Sequence, residues 1–168
     1  MECGLLQSLL FFLKLFPRDT ELALNISRIL SKMTLCTDVC LHLLRYRRRT
    51  GDYDAVADDD DLFSSLFAVL TIHVQKADLV VRVLFVLGNL TAKSDEARAR
   101  LWLLGARKEA EKGAADAAAS APVRALVTTF SKYVDLMAGE LMEAEGEEGK
   151  EPSKVEDVLI KLVRFVFL

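Results

Sequence analysis

The sequence DLVVRVLFVLGNL at residues 78–90 decides the fold, because two other segments of the chain repeat its pattern. Residues 21–33 read ELALNISRILSKM, and residues 157–168 read DVLIKLVRFVFL. Each segment opens with an acidic residue, which the positive N-terminal end of a helix dipole stabilises. Apolar residues then recur at i, i+4, i+7 and i+8, the spacing of one buried helical face. Three copies of one amphipathic helix predict a repeat protein in which these helices stack side by side.

The three segments align position by position, and we expect the aligned apolar residues to be buried. The aligned sets are Leu22/Leu79/Val158, Ile26/Val83/Leu162, Ile29/Val86/Phe165 and Leu30/Leu87/Val166. The last copy is still apolar at Leu168, whereas the terminal repeat of a solenoid normally presents a polar outer face. We therefore expect a repeat domain that is incomplete at its C-terminal end and belongs to a longer protein. The isolated chain should aggregate or dimerise through the uncovered apolar face of this helix, formed by Leu159, Leu162, Val163, Phe165 and Val166.

The composition predicts one all-α domain. The chain has 168 residues, of which 52% are apolar and 28% charged, enough for a packed core. Only three prolines and eight glycines interrupt its leucine-rich runs, and the net charge of −3 is too small to indicate a class of partner. The apolar run from Leu5 to Phe16 is shorter than the roughly 20 residues of a membrane-spanning helix. We expect it to be a buried helix of the first repeat.

The repeat domain is predicted to cover residues 1–168 in about three units, at 1–36, 37–93 and 94–168. Both spacings between the repeated helices exceed the length of helical solenoid repeats, which is about 40–47 residues. Insertions at 48–60, 105–121 and 143–152 account for most of the surplus. We expect these insertions to lie as loops outside the stack.

The residues at 84–90, LFVLGNL, resemble the third-helix signature of the armadillo-repeat family, with Phe85 and Asn89 one turn apart. The resemblance implies an armadillo-type α-solenoid in which this helix lines a concave groove that binds proteins. The strings at 83–94, 25–32 and 156–162 together resemble one ciliary member of the family. That resemblance implies a cytoplasmic and ciliary or flagellar adaptor, which delivers radial spokes by intraflagellar transport and has radial spoke and transport subunits as partners.

Polar residues of the three repeated helices lie opposite the apolar face, so stacking should bring them into one groove. Five of them are cations, and a basic groove should attract an acidic protein segment that arginine forks can orient. The alternative is an ordinary solvated helix surface, since scattered surface charge is common. The candidate groove residues are Asn25, Arg28, Lys32, Arg82, Phe85, Asn89, Lys161 and Arg164.

No catalytic, cofactor or metal site is predicted. The sequence holds no glycine-rich phosphate loop, zinc-protease helix or nucleophile elbow, and His42 and His73 lack a suitably spaced carboxylate. Cys36 and Cys40 lie near His42, but no second pair of zinc ligands exists, so free thiols are the better interpretation. The expected function is that of a non-enzymatic scaffold. The alternatives are a peptide receptor of the nuclear-transport or signalling type, and an RNA-binding solenoid, which the net negative charge disfavours.

Overall fold

The computed structural model describes residues 4–45, 61–101, 121–143 and 153–166. These residues form helices and short turns, and no strand occurs among them. The all-α prediction is therefore confirmed. The helices are α1 (Gly4–Leu15), α2 (Thr20–Met33), α3 (Thr37–Arg45), α4 (Asp61–Ile72), α5 (Ala77–Lys93), α6 (95–101, as far as it is described), α7 (Ala121–Glu143) and α8 (Lys154–Val166).

The helices pack in two layers. The three repeated helices form one layer, in which α5 lies between α2 and α8 and packs against both. Helices α1, α4 and α7 form the other layer, with α4 packed against both of its neighbours. Each repeated helix also packs on the helix of the other layer that comes before it: α2 on α1, α5 on α4 and α8 on α7. The predicted side-by-side stack of the repeated helices is thus present.

The core runs along the contact between the two layers and is densest around α5. Leu79, Val83, Val86 and Leu87, the four apolar residues predicted to face the core in this helix, are all buried. Burial of a side chain of this size stabilises a fold by about 1.5–3 kcal/mol relative to leaving it in water. Because α5 has helices on both sides in its own layer and α3 and α4 against it as well, it holds the stack together.

Side-chain caps fix where three of the helices begin. Asp19 Oδ1 accepts a hydrogen bond from the backbone N–H of Leu22 at 3.0 Å at the start of α2. The hydroxyl of Ser94 accepts from the N–H of Ala97 at 3.2 Å, before α6. Ser153 does the same for Glu156 at 3.2 Å and opens α8. Each cap satisfies one N–H that the helix itself leaves without an acceptor.

Several apolar residues that we expected to be buried lie at the surface. Helix α1, which we expected to be buried, leaves one side exposed, formed by Leu5, Phe11, Phe12 and Leu15. Ile29 was predicted to be buried, but 40% of it is exposed, whereas its counterpart Val86 is fully buried. The apolar face of α8 that we expected to be uncovered is uncovered only in part, since Val163 is 45% exposed whereas Leu162 and Phe165 are buried. The physical reason is position in the stack, because α2 and α8 each have a neighbour in their layer on one side only.

The predicted insertions at 48–60, 105–121 and 143–152 lie outside the described residues, except for their ends at residues 121 and 143, which belong to α7. The boundaries of the three repeat units stay a prediction. In the part of the chain that the structure describes, each helix is too short or too polar to cross a membrane.

Candidate protein-binding surface

The structure places the predicted groove residues on the three helices of the repeated layer, mostly in contact with solvent. In α2 all three of them, Asn25, Arg28 and Lys32, are exposed. The remaining five comprise the exposed Arg82 and Arg164 and the half-buried Phe85, Asn89 and Lys161. We call the five cations of this set, Arg28, Lys32, Arg82, Lys161 and Arg164, the basic stripe.

A cation–π contact joins the polar faces of α5 and α8. The Lys161 Nζ atom lies 5.2 Å from the centroid of the Phe85 ring. Such contacts contribute about 0.5–1 kcal/mol where they are open to water. The contact holds Lys161 over its neighbour's ring, so the polar faces of α5 and α8 form one continuous surface.

A hydrogen bond joins α5 to the end of α2. Asn89 Nδ2 donates to Thr34 Oγ1 at 3.1 Å, and Thr34 is the residue that ends α2. The amide that we expected in the groove is therefore engaged with the neighbouring helix. A ladder of asparagine amides that clamps the backbone of a bound peptide does not arise from this residue pattern.

Lys93 is a residue that the sequence interpretation missed. Its ammonium group donates to the carbonyl oxygen of Thr34 at 2.8 Å and also to that of Leu35. The last carbonyls of a helix have no partner within the helix and carry its partial negative charge. A lysine from α5 thus caps α2. No local signal reveals this, because the two residues are brought together only by the stack.

Acidic residues precede the basic stripe in all three repeated helices. Glu21, Asp78 and Asp157 occupy aligned positions near the starts of the three repeated helices, and all three are exposed. Lys154 Nζ pairs with Asp78 Oδ2 at 3.0 Å and offsets the charge of that carboxylate. Carboxylates thus lie beside the basic stripe at the N-terminal ends of the three helices.

The two histidines occupy different environments. His73 is buried, and its Nε2 donates to the carbonyl oxygen of Pro17 at 2.7 Å. Its Nδ1 lies 3.4 Å from Thr20 Oγ1, whose hydroxyl can donate to it. The imidazole thus ties the end of α4 to the turn between α1 and α2, as a packing residue. His42 is exposed.

Cys40 is buried, and its thiol donates to the carbonyl oxygen of Thr34 at 3.1 Å, whereas Cys36 is exposed. Burial raises the pKa of the Cys40 thiol, an effect that the nearby Lys93 ammonium partly offsets. Among the described residues, no three potential metal ligands of the His, Cys, Asp or Glu type come together.

A shallow cleft lies between α4 and α7, on the layer opposite the basic stripe. Its volume is 280 Å³, and Arg124 is the one charged residue in its lining, which consists of Thr71, Val74, Arg124, Ala125, Thr128 and Thr129. Thr71 and Thr129 each donate their hydroxyl to a carbonyl of their own helix. The cleft therefore offers few free polar groups to a ligand.

The chain is similar to armadillo repeat-containing protein 2 from three mammals. It is 36% identical to that of Bos taurus over 149 residues, 33% identical to that of Homo sapiens over 154, and 30% identical to that of Mus musculus over 146. These matches cover 87–89% of the chain but only 14% of each relative. No protein-family model matches the chain. No solved structure matches it either. By its stacked helices and by these matches, the chain is an armadillo-type α-solenoid, similar to one segment of armadillo repeat-containing protein 2.

Proposed function

We propose that the chain is a non-enzymatic protein-binding scaffold that holds an acidic segment of its partner on the basic stripe. The observation that carries this proposal is the alignment of the stripe across three packed helices. A row of guanidinium and ammonium groups on a rigid surface attracts carboxylates, and arginine can hold them through two hydrogen bonds at once. Because most of the stripe is open to water, binding should weaken as salt is added.

The relatives are named for their armadillo repeats, a fold that suits binding of extended protein segments. The resemblance to this member of the family further suggests an adaptor in the cytoplasm and in the cilium or flagellum. Its cargo would be radial spokes that travel by intraflagellar transport, so radial spoke and transport subunits are the proposed partners. A peptide receptor of the nuclear-transport type fits less well, because Asn89 already donates to Thr34.

The test is a pull-down from a lysate of ciliated cells, read by mass spectrometry. The bait is the chain itself, beside the variant Arg28→Glu/Arg82→Glu/Arg164→Glu, which reverses three exposed charges and spares the Lys161 contact. The matched control is Lys76→Glu/Arg124→Glu/Lys132→Glu, which changes the net charge equally and lies off the stripe.

We expect radial spoke or transport subunits to be captured by the wild type and by the control, and lost by the stripe variant. Capture that is equal in all three would contradict the basic stripe as the binding surface. Absence of those subunits from every sample would contradict the ciliary assignment, while leaving other protein partners to be identified in the same spectra.

A further inference from the structure

The two sides of each repeated helix show a regular pattern of burial. One side is marked by two aligned sets, Leu22/Leu79/Val158 and Ile29/Val86/Phe165. In α5 and α8 these residues are buried, whereas in α2 Leu22 is half-buried and Ile29 is exposed. This is therefore the side by which α5 and α8 meet the preceding helix of the layer. We call it the backward face.

The other side shows the opposite trend. It is marked by the sets Ala23/Val80/Leu159 and Ser27/Leu84/Val163. In α2 and α5 these residues are buried, whereas in α8 Leu159 is half-buried and Val163 is exposed. This is the side by which α2 and α5 meet the following helix, and we call it the forward face. The described stack thus ends in an uncovered backward face on α2 and an uncovered forward face on α8.

These two uncovered faces are the two halves of an interface that already occurs twice within the chain, between α2 and α5 and between α5 and α8. We propose that the chain associates head to tail, with the forward face of α8 in one copy packed on the backward face of α2 in a second copy. The second copy then continues the stack of the first. Such a contact joins two different surfaces, so it does not close on itself and allows further copies to add.

Charge complementarity supports a second copy as the occupant. Within the chain, Lys154 Nζ pairs with Asp78 Oδ2 across the junction of α5 and α8. In the proposed junction, the alignment puts Asp157 of the first copy in the place of Asp78, and Arg18 of the second in the place of Lys154. Both of these residues are exposed, so an equivalent ion pair is available at the new contact.

The layer of α1, α4 and α7 adds exposed apolar surface at both ends of the stack. Phe12 in α1 and Phe16 just after it are exposed, and their rings stack with centroids 6.5 Å apart. In α7, Val127 and Phe130 are exposed on one side of the helix. Helix α4, which lies between them, exposes one large apolar residue among those described, Ile72. Exposed apolar patches of this kind mark surfaces at which proteins associate.

Sedimentation velocity over a range of concentrations tests the proposal. The variants are Ile29→Glu, which puts a charge on the backward face, and Val163→Glu, which puts a charge on the forward face. Both residues are exposed, so neither change places a charge in the core. Ile72→Glu on α4 is the control, and circular dichroism checks that every variant is folded. The wild type and the control should form assemblies larger than a dimer as the concentration rises. Ile29→Glu and Val163→Glu, each on its own, should stay monomers.

An equimolar mixture of the two variants is the decisive sample. Ile29→Glu retains an intact forward face and Val163→Glu an intact backward face, so the mixture should form a dimer that grows no further. A wild type that stays monomeric at all concentrations overturns the proposal. So does dimerisation of Ile29→Glu on its own, since that result means that two forward faces meet each other. Association that neither substitution weakens overturns it as well.

Discussion

Lys161 in α8 lies over the aromatic ring of Phe85 in α5, with its Nζ atom 5.2 Å from the ring centroid. The contact sets how the polar faces of two neighbouring repeats meet. It also removes part of the freedom of a lysine that would otherwise extend into water. The stripe is therefore partly ordered before any partner binds, which reduces the entropy lost on binding.

The energy of this contact can be measured with a double-mutant cycle of Lys161→Gln and Phe85→Leu. The coupling energy should be about 0.5–1 kcal/mol, the range of cation–π pairs near the surface. Urea unfolding followed by circular dichroism gives the four free energies of unfolding. If the two changes are additive within error, the contact does not stabilise the protein.

The cap that Lys93 places on α2 should stabilise the protein more than the contact between Lys161 and Phe85 does. Replacing it in Lys93→Met leaves the carbonyls of Thr34 and Leu35 without their charged donor. Because hydrogen bonds to charged groups contribute about 1.5–3 kcal/mol, we expect the free energy of unfolding to fall by about 1–2 kcal/mol. Lys76→Met, at an exposed position, is the control and should change it little. Equal unfolding curves for the two variants would refute the cap.

Removal of one buried hydroxyl should make the protein more stable. Ser27 is fully buried in α2, and its Oγ has no hydrogen-bond partner among the described residues. Ser27→Ala should raise the free energy of unfolding by about 1 kcal/mol, because a buried polar group without a partner costs energy and alanine favours the helix. Ser31→Ala is the comparison, since Ser31 Oγ donates to the carbonyl of Arg28 at 2.9 Å. It should gain less, and a larger gain at Ser31 would reverse the argument.

The thiols of Cys36 and Cys40 should react at very different rates. Burial blocks access to Cys40 and raises its pKa, so its thiolate fraction is lower at any given pH. In a Cys3→Ser background, iodoacetamide should label Cys36 in the folded protein and Cys40 only after urea is added. Mass spectrometry of the peptides reads both sites. Comparable labelling of the two in the folded protein would show that the α2–α3 turn opens readily.

Because folding raises the pKa of the Cys40 thiol, the free energy of unfolding should depend on pH. A thiol whose pKa is raised by folding favours the folded state while it remains protonated, and that contribution is lost as the pH rises through its folded-state pKa. Unfolding free energies should therefore decline above the ordinary pKa range of a thiol, and Cys40→Ala should reduce the decline. A decline of the same size in this variant would assign it to other groups, such as Tyr133, whose pKa burial also raises.

The sequence predicted the repeated helices well because their apolar spacing is a local property. The residues Val83 and Leu162, for example, are buried as their alignment required. The sequence wrongly predicted that Ile29 is buried, because the exposure of this residue depends on whether another helix lies next to α2 in the layer. It also could not predict that Asn89 and Lys93 would both bind Thr34. Those partners are far apart in the chain, so only the packed stack reveals them.

The central claim, that the basic stripe holds an acidic segment, is tested most directly by fluorescence anisotropy with a labelled peptide of alternating glutamate and serine. The wild type and the Lys76→Glu/Arg124→Glu/Lys132→Glu control should bind it alike, and a matching lysine–serine peptide should not bind. Arg28→Glu/Arg82→Glu/Arg164→Glu should bind about tenfold or more weakly, which corresponds to about 1.4 kcal/mol from three reversed surface charges. Equal loss of affinity in the two triple variants would contradict the account, because net charge rather than the stripe would then explain binding.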